Sequence, residues 1–204
     1  MTISLEGIGK KYTAREWVFK DVNQTFENNR CYAVTGSNGS GKTTLTKIIS
    51  GILPASIGTI SYQLKNKNIS SDEIYQHLSY ASPYLELIEE FSLSELMEFH
   101  FKFKKVTDGM NISDIMEKMY LTEHTNKRIA HFSSGMKQRL KLGLALYSQA
   151  EVTILDEPTS NLDERGISWY FDEMKGISNT RVVIIASNQP YEYEFADEII
   201  TLNK

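Results

Sequence analysis

The spacing of apolar residues predicts a chain that begins with strands. Strand patterns cover residues 2–8, 17–26 and 31–35. A glycine-rich turn follows the third strand and leads into a predicted helix at 42–50. Gly51 then stands where a glycine commonly ends a helix, because glycine adopts left-handed backbone angles without steric cost. The opening quarter therefore predicts β-structure that leads into one helix.

The middle of the chain has helical spacing, from about residue 72 to residue 146. Within it, four apolar residues share one predicted helix face: Leu93, Leu96, Met97 and Phe101. Ser92 and Glu95 have the spacing of a capping box, in which each side chain accepts a bond from the other residue's backbone N–H. This pattern predicts a helix that begins directly after Ser92.

The last quarter returns to strand, helix and strand, at residues 152–155, 166–175 and 181–186. Both strands are continuous apolar runs, which is typical of strands covered on both faces of a sheet. Together with the opening of the chain, this pattern predicts a mixed α/β core that a helical segment interrupts.

Composition narrows the class of protein. The 204 residues suffice for one sizeable core, and a net charge of -4 favours no nucleic-acid partner, because such binding needs a basic face. The one cysteine, Cys31, lies in a predicted strand, so we expect a buried thiol. No apolar run approaches the roughly 18 residues of a membrane span. Any association with a membrane is therefore expected to go through another chain.

The turn after the third strand carries a phosphate-binding pattern, in which two glycines separated by four residues precede Lys and Thr. It runs Gly36-Ser37-Asn38-Gly39-Ser40-Gly41-Lys42-Thr43 and continues with Thr44. Such a loop wraps phosphates with backbone N–H groups, Lys42 adds a cation, and the Thr43 hydroxyl can hold Mg²⁺. The alternative is a structural turn with an incidental lysine. The complete match between a strand and a helix favours a nucleotide site, but transporters, kinases, GTPases and helicases all use one.

Two carboxylates end the strand predicted at 152–155, namely Asp156 and Glu157. Taken alone they are weak evidence, because many buried strands end in an acidic residue. The longer stretch is more specific, and it runs Val152-Thr153-Ile154-Leu155-Asp156-Glu157-Pro158-Thr159-Ser160-Asn161-Leu162-Asp163.

A third motif precedes that strand, and it runs Phe132-Ser133-Ser134-Gly135-Met136-Lys137-Gln138-Arg139-Leu140. Ser133 is a good helix N-cap, which explains its position on structural grounds alone. A helix N-terminus is also a site for phosphate, because its free N–H groups and its dipole favour negative charge. The two interpretations are compatible.

In this order and spacing, the three motifs resemble the Walker A, signature, and Walker B with D-loop motifs of ABC transporter ATP-binding subunits. The resemblance spans essentially the whole chain. It implies a P-loop NTPase core of the ABC ATPase type, in the α/β class, with an N-terminal antiparallel β-subdomain and an inserted helical subdomain. It predicts one domain over 1–204, with the core and β-subdomain in 1–75 and 150–204 and the helical subdomain in about 76–149. The short chain and its phosphate loop also resemble the small ATPase subunits of haem-exporter-like systems.

The resemblance implies that ATP and Mg²⁺ are the cofactors. Thr43 and Asp156 would hold the metal, and Lys42 would hold the phosphates during catalysis. Glu157 would act as general base on the attacking water or orient it. These residues would together form a hydrolytic centre.

Other residues are assigned by the same resemblance. An aromatic of the β-rich segment would stack on adenine, and Tyr12 is the predicted residue, with Trp17 and Phe19 as alternatives. Ser133 and Gly135 of one protomer would close over the nucleotide bound to the other. Asp163 would lie at the interface between the two protomers.

Two positions depart from the family pattern. The glutamine that joins core and helical subdomain in most ABC ATPases is absent, and its place falls near Ser82 or Pro83. The switch histidine is replaced by Asn188, which can donate a hydrogen bond to phosphate but cannot become cationic. We expect both changes to slow hydrolysis and neither to prevent ATP binding.

The implied partners are a transmembrane permease subunit and a second nucleotide-binding subunit, with a homodimer preferred. The chain would then be cytoplasmic, held at the inner face of the membrane by its permease. The alternatives are a soluble ABC ATPase acting in translation or on DNA, a weakly hydrolysing regulatory subunit, and a P-loop small-molecule kinase. A single domain without sustained heptads argues against the first, and the signature motif argues against the kinase.

Three further groups are predicted to lie outside this chemistry. The four histidines lack metal-site spacing and are expected at surface or packing positions: His77, His100, His124 and His131. Lys102, Lys104 and Lys105 are expected at a solvated helix end. The acidic residues Glu86, Glu89 and Glu90 form either a docking patch for the membrane subunit or a plain solvated face.

Overall fold

Two β-sheets and five α-helices make up the computed structural model, which describes residues 1–13 and 15–202. The strands are β1 (Thr2–Lys11), β2 (Trp17–Phe26), β3 (Cys31–Thr35), β4 (Ile57–Leu64), β5 (Lys67–Ile69), β6 (Leu78–Ala81), β7 (Val152–Asp156), β8 (Val182–Ala186) and β9 (Glu198–Thr201). The helices are α1 (Lys42–Ile49), α2 (Leu93–Phe103), α3 (Ile112–Lys118), α4 (Ser134–Leu146) and α5 (Glu164–Ile177). Short 3₁₀ turns lie at Ile74–Gln76, Thr122–His124, Ile129–His131 and Pro190–Tyr193.

The first sheet is antiparallel, in the order β2-β1-β4-β5, and the second has the order β6-β7-β8-β3-β9. All pairs in the second sheet are parallel. Parallel strands end at one common edge, so the loops that follow β3, β6, β7 and β8 meet there. These loops begin at Gly36, Ser82, Glu157 and Ser187. The edge where they meet positions the candidate site.

The core divides between the two faces of the parallel sheet. The strands β3, β7 and β8 are buried along their whole lengths, which is the burial that their continuous apolar sequences predict. Ile154 and Ile184 pack toward α1 and the antiparallel sheet, whereas Leu155 and Ile185 pack toward the later helices. Cys31 is fully buried as predicted, and burial raises the pKa of its thiol to about 12.

Local sequence signals at two helix ends are confirmed. Ser92 accepts a bond from the backbone N–H of Glu95, whose carboxylate accepts one from the backbone N–H of Ser92 at 2.8 Å, so the capping box opens α2. Gly51 follows the end of α1 with a left-handed φ of 75°. Both ends are decided by neighbouring residues, which explains why the sequence predicts them.

The helical prediction for residues 72–146 is wrong at Leu78–Ala81, which form strand β6 of the parallel sheet. Four residues are too few for a period to emerge. Ser79 fits the buried strand because its hydroxyl bonds the Thr153 hydroxyl at 2.9 Å on β7. The core sheet therefore reaches to Ala81, beyond the predicted boundary near residue 76, and the first helix of the insert begins at Leu93.

The lysine cluster at the end of α2 is only partly solvated. Lys102 and Lys105 are exposed as predicted, but Lys104 is half-buried and donates to the carbonyls of Tyr75 and Leu78. Burial lowers the pKa of Lys104. The lysine therefore fastens the end of α2 to the segment that enters β6.

Packing roles are found for two of the histidines. The His100 ring bonds the Ser148 hydroxyl at 2.9 Å, and burial lowers its pKa to about 4. His77 pairs with Glu151 at 3.2 Å. Among residues 1–13 and 15–202, no helix is long and apolar enough to cross a membrane.

Candidate active site

The loop that follows β3 curls around the N-terminus of α1. Gly41 has a φ of 101°, and a Cβ at this position would lie 2.6 Å from a Val18 methyl carbon and 2.7 Å from the Phe19 ring. Glycine is therefore required both by the backbone angle and by the close approach of β2. The turn is closed by a bond from the Ser40 N–H to the Ser37 carbonyl at 3.0 Å. The result is a tight loop at the positive end of a helix.

Lys42 lies inside this loop rather than in solvent. Its ammonium donates to the Gly36 carbonyl at 2.9 Å and to the Ser37 carbonyl at 3.3 Å, and its side chain is buried. A buried lysine surrounded by loop carbonyls and N–H groups provides a fixed positive charge, which is what bound phosphate needs.

A cavity of about 630 Å³ opens in front of the loop, and it is large enough for a nucleotide. Lys42, Thr43 and Thr44 line it beside the loop residues Asn38 and Gly39. The rest of the cavity wall is formed by the β-rich segment, by the segment after β6 and by the end of β7.

Tyr12 is the predicted aromatic that lines this cavity. Its ring is 65% exposed, its hydroxyl lies 3.4 Å from the Thr44 hydroxyl, and the Lys10 ammonium lies 5.3 Å from the ring centroid. Phe19, by contrast, is buried behind the loop, and Trp17 borders a smaller neighbouring cavity. An open ring next to the phosphate loop has the placement that base stacking requires.

Asp156 ends β7 with its carboxylate 1% exposed. One oxygen, Oδ2, accepts bonds from the Thr43 hydroxyl at 2.7 Å and the Ser82 hydroxyl at 3.3 Å. The other, Oδ1, is buried and has no hydrogen-bond partner among the described residues. Burial raises the pKa of this carboxyl, with Glu157 adding to the shift.

These residues fit a magnesium ion. A carboxylate oxygen without a partner and a threonine hydroxyl are hard oxygen ligands, and Mg²⁺ in phosphate sites takes its other ligands from phosphate and water. The described residues contain no cluster of three or more His, Cys, Asp or Glu side chains that could hold a metal. Thr43 and Asp156 are thus the residues that would hold the ion.

Replacing Asp156 with asparagine is expected to raise the stability of the nucleotide-free protein and to abolish Mg²⁺-dependent hydrolysis. The pKa of this carboxyl is higher in the folded than in the unfolded protein, so its protonated form stabilises the fold. This contribution to the free energy of unfolding is lost as pH rises through the raised pKa. At neutral pH the ionised group therefore destabilises the fold. We expect a gain of about 1 kcal/mol, or about 2–4 °C in Tm.

Thermal unfolding at pH 7.5 and at pH 5 checks this expectation, with the exposed-site variant Asp108→Asn as control. The stabilisation should be larger at pH 7.5 than at pH 5. An Asp156→Asn protein less stable than wild type at both values would contradict the buried-charge account.

Glu157 has an unusual backbone. Its φ of 45° lies in the left-handed region, which costs a non-glycine residue energy and is common at functional sites. Its N–H donates to the Ala186 carbonyl at 2.8 Å, and its carboxylate accepts from the Ser160 hydroxyl at 3.4 Å. The side chain lines the nucleotide cavity. The strained turn after β7 thus brings the Glu157 carboxylate to the cavity, directly after the buried Asp156 in sequence.

Asn188 lies on the exposed loop after β8, where its amide donates to the Asn38 side-chain oxygen at 2.9 Å. The loop that carries the switch position therefore touches the phosphate loop directly. Sequence reasoning did not foresee this contact, because the two residues lie 150 positions apart.

The signature motif and the D-loop pack against each other. Ser133 caps α4 through the Met136 N–H at 3.2 Å, and Asp163 caps α5 through the Gly166 N–H at 2.8 Å. Gly135 lies so close to the D-loop that an added Cβ would be 2.9 Å from the Asn161 carbonyl. Arg139 joins the two motifs through an ion pair with Asp163 at 3.3 Å. In the described residues of one protomer, Ser133, Gly135 and Asp163 do not line the nucleotide cavity.

At the position of the missing glutamine, the structure shows two local contacts. Ser82 bonds Asp156, as described above, and the Pro83 carbonyl accepts from the Lys141 ammonium of α4 at 2.5 Å. Tyr84 follows and lines the nucleotide cavity, and sequence reasoning missed it. No signal in the sequence distinguishes Tyr84 from other exposed tyrosines.

Comparison with known proteins decides the family. The model of the ABC transporter family matches residues 19–160, which is more than half of the chain. The chain belongs to the ABC transporter family. Within that family it is an ATP-binding subunit and an ATPase, as the three motifs imply.

Two relatives and one solved structure illustrate the match. The uncharacterized ABC transporter ATP-binding protein YybJ of Bacillus subtilis (strain 168) is 28% identical over 161 residues, covering 76% of this chain and 71% of YybJ. The lantibiotic transport ATP-binding protein SrtF of Streptococcus pyogenes is 27% identical, covering 91% of this chain and 79% of SrtF. The dimeric ATP-binding cassette MJ0796, bound to ADP and Pi, has the same fold, with a TM-score of 0.83 at 19% identity and coverage of 98% and 94%. The narrower resemblance of this ABC ATPase to haem-exporter-like subunits remains a prediction.

Proposed function

We propose that this ABC ATPase powers transport through a separate permease by closing a head-to-tail dimer around ATP. The observation that carries the proposal is that Thr43 and Glu157 line one cavity at the common edge of the parallel sheet, where the Thr43 hydroxyl also bonds the buried Asp156 carboxylate. Phosphoryl transfer to water needs positioned charges and a positioned water more than covalent chemistry. This set of residues supplies both.

Within the cavity, each residue has one task. Lys42 and the N–H groups of its loop hold the phosphates. Magnesium, when bound by Thr43 and Asp156, would neutralise charge on the phosphate oxygens. Glu157 accepts a proton from the attacking water or orients it, and Asn188 donates a hydrogen bond toward the terminal phosphate. Tyr12 stacks on the adenine ring.

The second nucleotide-binding subunit completes the site. Ser133 is exposed and caps α4, so it offers a helix N-terminus to a phosphate outside its own protomer. Because it lies apart from its own nucleotide cavity among the described residues, its ligand would be the nucleotide of a second copy. This arrangement supports a head-to-tail homodimer with Asp163 at the interface.

The permease would dock at a groove of about 430 Å³ next to the nucleotide cavity. Pro83, Leu87 and Lys141 line it together with the acidic residues Glu86 and Glu89. Glu89 pairs with Lys137, whereas Glu86 is exposed, so a partner segment with a basic residue would find a free carboxylate. Such docking would hold the ATPase at the inner face of the membrane.

A regulatory subunit with weak hydrolysis is the second candidate. Its support is Asn188, which cannot carry positive charge, together with the replacement of the glutamine by the Ser82–Pro83 pair. Rates decide between the two candidates, because a regulatory subunit would bind ATP and turn it over at a rate that a permease does not raise.

The test measures ATPase rate against protein concentration, first alone and then with copurified membrane partner. If two copies form the site, the rate of the isolated protein should rise more than linearly with concentration. A strictly linear rate that the permease leaves unchanged would favour the regulatory subunit.

A further inference from the structure

One buried carboxylate of this ABC ATPase lies away from the nucleotide cavity. Glu192 belongs to the 3₁₀ turn Pro190–Tyr193, directly after the loop that carries Asn188, and is 2% exposed. Taking a carboxylate out of water costs free energy unless bonds replace its hydration. Its partners therefore show what this carboxylate does.

The two oxygens of Glu192 hold two different segments. Oε1 accepts bonds from the Thr159 N–H at 2.8 Å and from the Thr159 hydroxyl. Oε2 accepts a bond from the Ser187 hydroxyl. Thr159 lies two residues after Glu157, and Ser187 directly precedes Asn188. One side chain thus joins the segment of the proposed general base to the segment of the switch position.

The turn that carries Glu192 is itself fixed. The Glu192 N–H donates to the Gln189 carbonyl at 3.0 Å, and the Glu192 carbonyl accepts from the Tyr170 hydroxyl of α5 at 2.9 Å. The Gln189 N–H donates to the Ser187 hydroxyl at 2.9 Å, which orients that hydroxyl toward the carboxylate. In the described part of the chain no Lys, Arg or His pairs with Glu192, so its acceptors serve only these two segments.

Backbone hydrogen bonds connect the two segments that Glu192 holds with the phosphate loop and with Glu157. The Ser187 N–H donates to the Val34 carbonyl at 3.1 Å, just before the phosphate loop, and the Glu157 N–H donates to the Ala186 carbonyl at 2.8 Å. A shift of Ser187 or Thr159 would therefore move Asn188 or Glu157 relative to the phosphates. Small displacements of this kind lower catalytic rate more than they lower binding.

We propose that Glu192 is a positioning residue for ATP hydrolysis, which sets Glu157 and Asn188 at a fixed separation by bonding both of their segments. The inference rests on the hydrolytic role proposed for Glu157. It adds a residue that does not line the nucleotide cavity and acts only through Thr159 and Ser187.

The experiment compares Glu192→Gln with wild type in kcat and in KM for ATP. Glutamine keeps the size but replaces one acceptor oxygen by an amide group that donates, so one of the two segments loses its bond. We expect kcat to fall about tenfold to a hundredfold while KM changes less than about twofold. The kcat of Glu192→Ala should fall at least as far if the variant folds. Glu194→Gln is the matched control and should keep the wild-type kcat and KM, because Glu194 is an exposed carboxylate directly after the same turn.

A double-mutant cycle with Asn188→Ala adds a readout that a merely structural role would not change. If Glu192 acts by placing Asn188, the double variant should lose little more activity than the worse single variant. If the losses of activity of the two single variants multiply in the double variant, Glu192 does not act through Asn188.

Failure of the inference and failure of the proposed function are distinguishable. Wild-type kcat in Glu192→Gln, beside an inactive Glu157→Gln protein, would overturn the inference alone. Normal turnover in Glu157→Gln would instead overturn the proposed hydrolytic centre on which it rests.

Discussion

Replacing Glu157 with glutamine is expected to stop ATP turnover and leave ATP binding intact. Glutamine keeps the size of the side chain and can still accept the bond from Ser160, but its amide cannot take a proton from water. Loss of a general base lowers a rate by about 10²–10⁴-fold. Because Lys42 and its loop are the residues proposed to hold the phosphates, affinity for ATP should change little. The variant should therefore trap the ATP-bound dimer.

Size-exclusion chromatography with light scattering, with and without Mg-ATP, measures the trapped state beside the wild-type ATPase rate. We expect a shift from monomer to dimer that needs ATP. Glu73→Gln is a matched control, because Glu73 is an exposed carboxylate outside the cavity. If Glu157→Gln turns over ATP at the wild-type rate, the base is wrongly assigned. If it stays monomeric at saturating ATP, the homodimer is wrong and a related partner subunit becomes the better hypothesis.

Replacing Lys42 with alanine should weaken ATP binding by about 10–150-fold. A hydrogen bond from a charged donor contributes about 1.5–3 kcal/mol, and each 1.4 kcal/mol is about tenfold in Kd. The change also removes the bonds from the ammonium to the Gly36 and Ser37 carbonyls, so the loop itself should become less ordered. Both effects lower affinity for the phosphates.

Titration calorimetry with Mg-ATP measures this loss. Lys47→Ala is the control, because Lys47 lies in the last turn of the same helix, away from the phosphate loop. A Kd for Lys42→Ala within threefold of wild type would show that the loop N–H groups alone hold the phosphates.

The chain predicts those parts of the site that are contiguous in sequence. The phosphate loop is eight consecutive residues between a strand and a helix, and Asp156 and Glu157 end an unbroken apolar strand. Ser133 caps α4, as its position in the sequence predicts. In each case the residues that decide the structure lie within a few positions of one another.

The remaining parts depend on contacts between distant residues. Ser82 reaches Asp156 across 74 positions, and Glu192 reaches Thr159 across 33. Strand β6 is recognised only by its pairing with β7, because its four residues carry no period. Burial of Lys104 follows from the turn at Ile74–Gln76, which a helical pattern does not predict. Such features follow from the assembled sheet rather than from local preference.

The bond from Lys141 to the Pro83 carbonyl ties the middle of α4 to the groove proposed as the docking site of the permease. Ser133 lies eight residues from Lys141, which is about 12 Å along a helix. A tilt of α4 by about 15° around Lys141 would displace Ser133 by about 3 Å, the length of one hydrogen bond. In the proposed dimer, a membrane partner that shifts residues 83–89 by a small angle would therefore move Ser133 toward or away from the ATP of the second subunit.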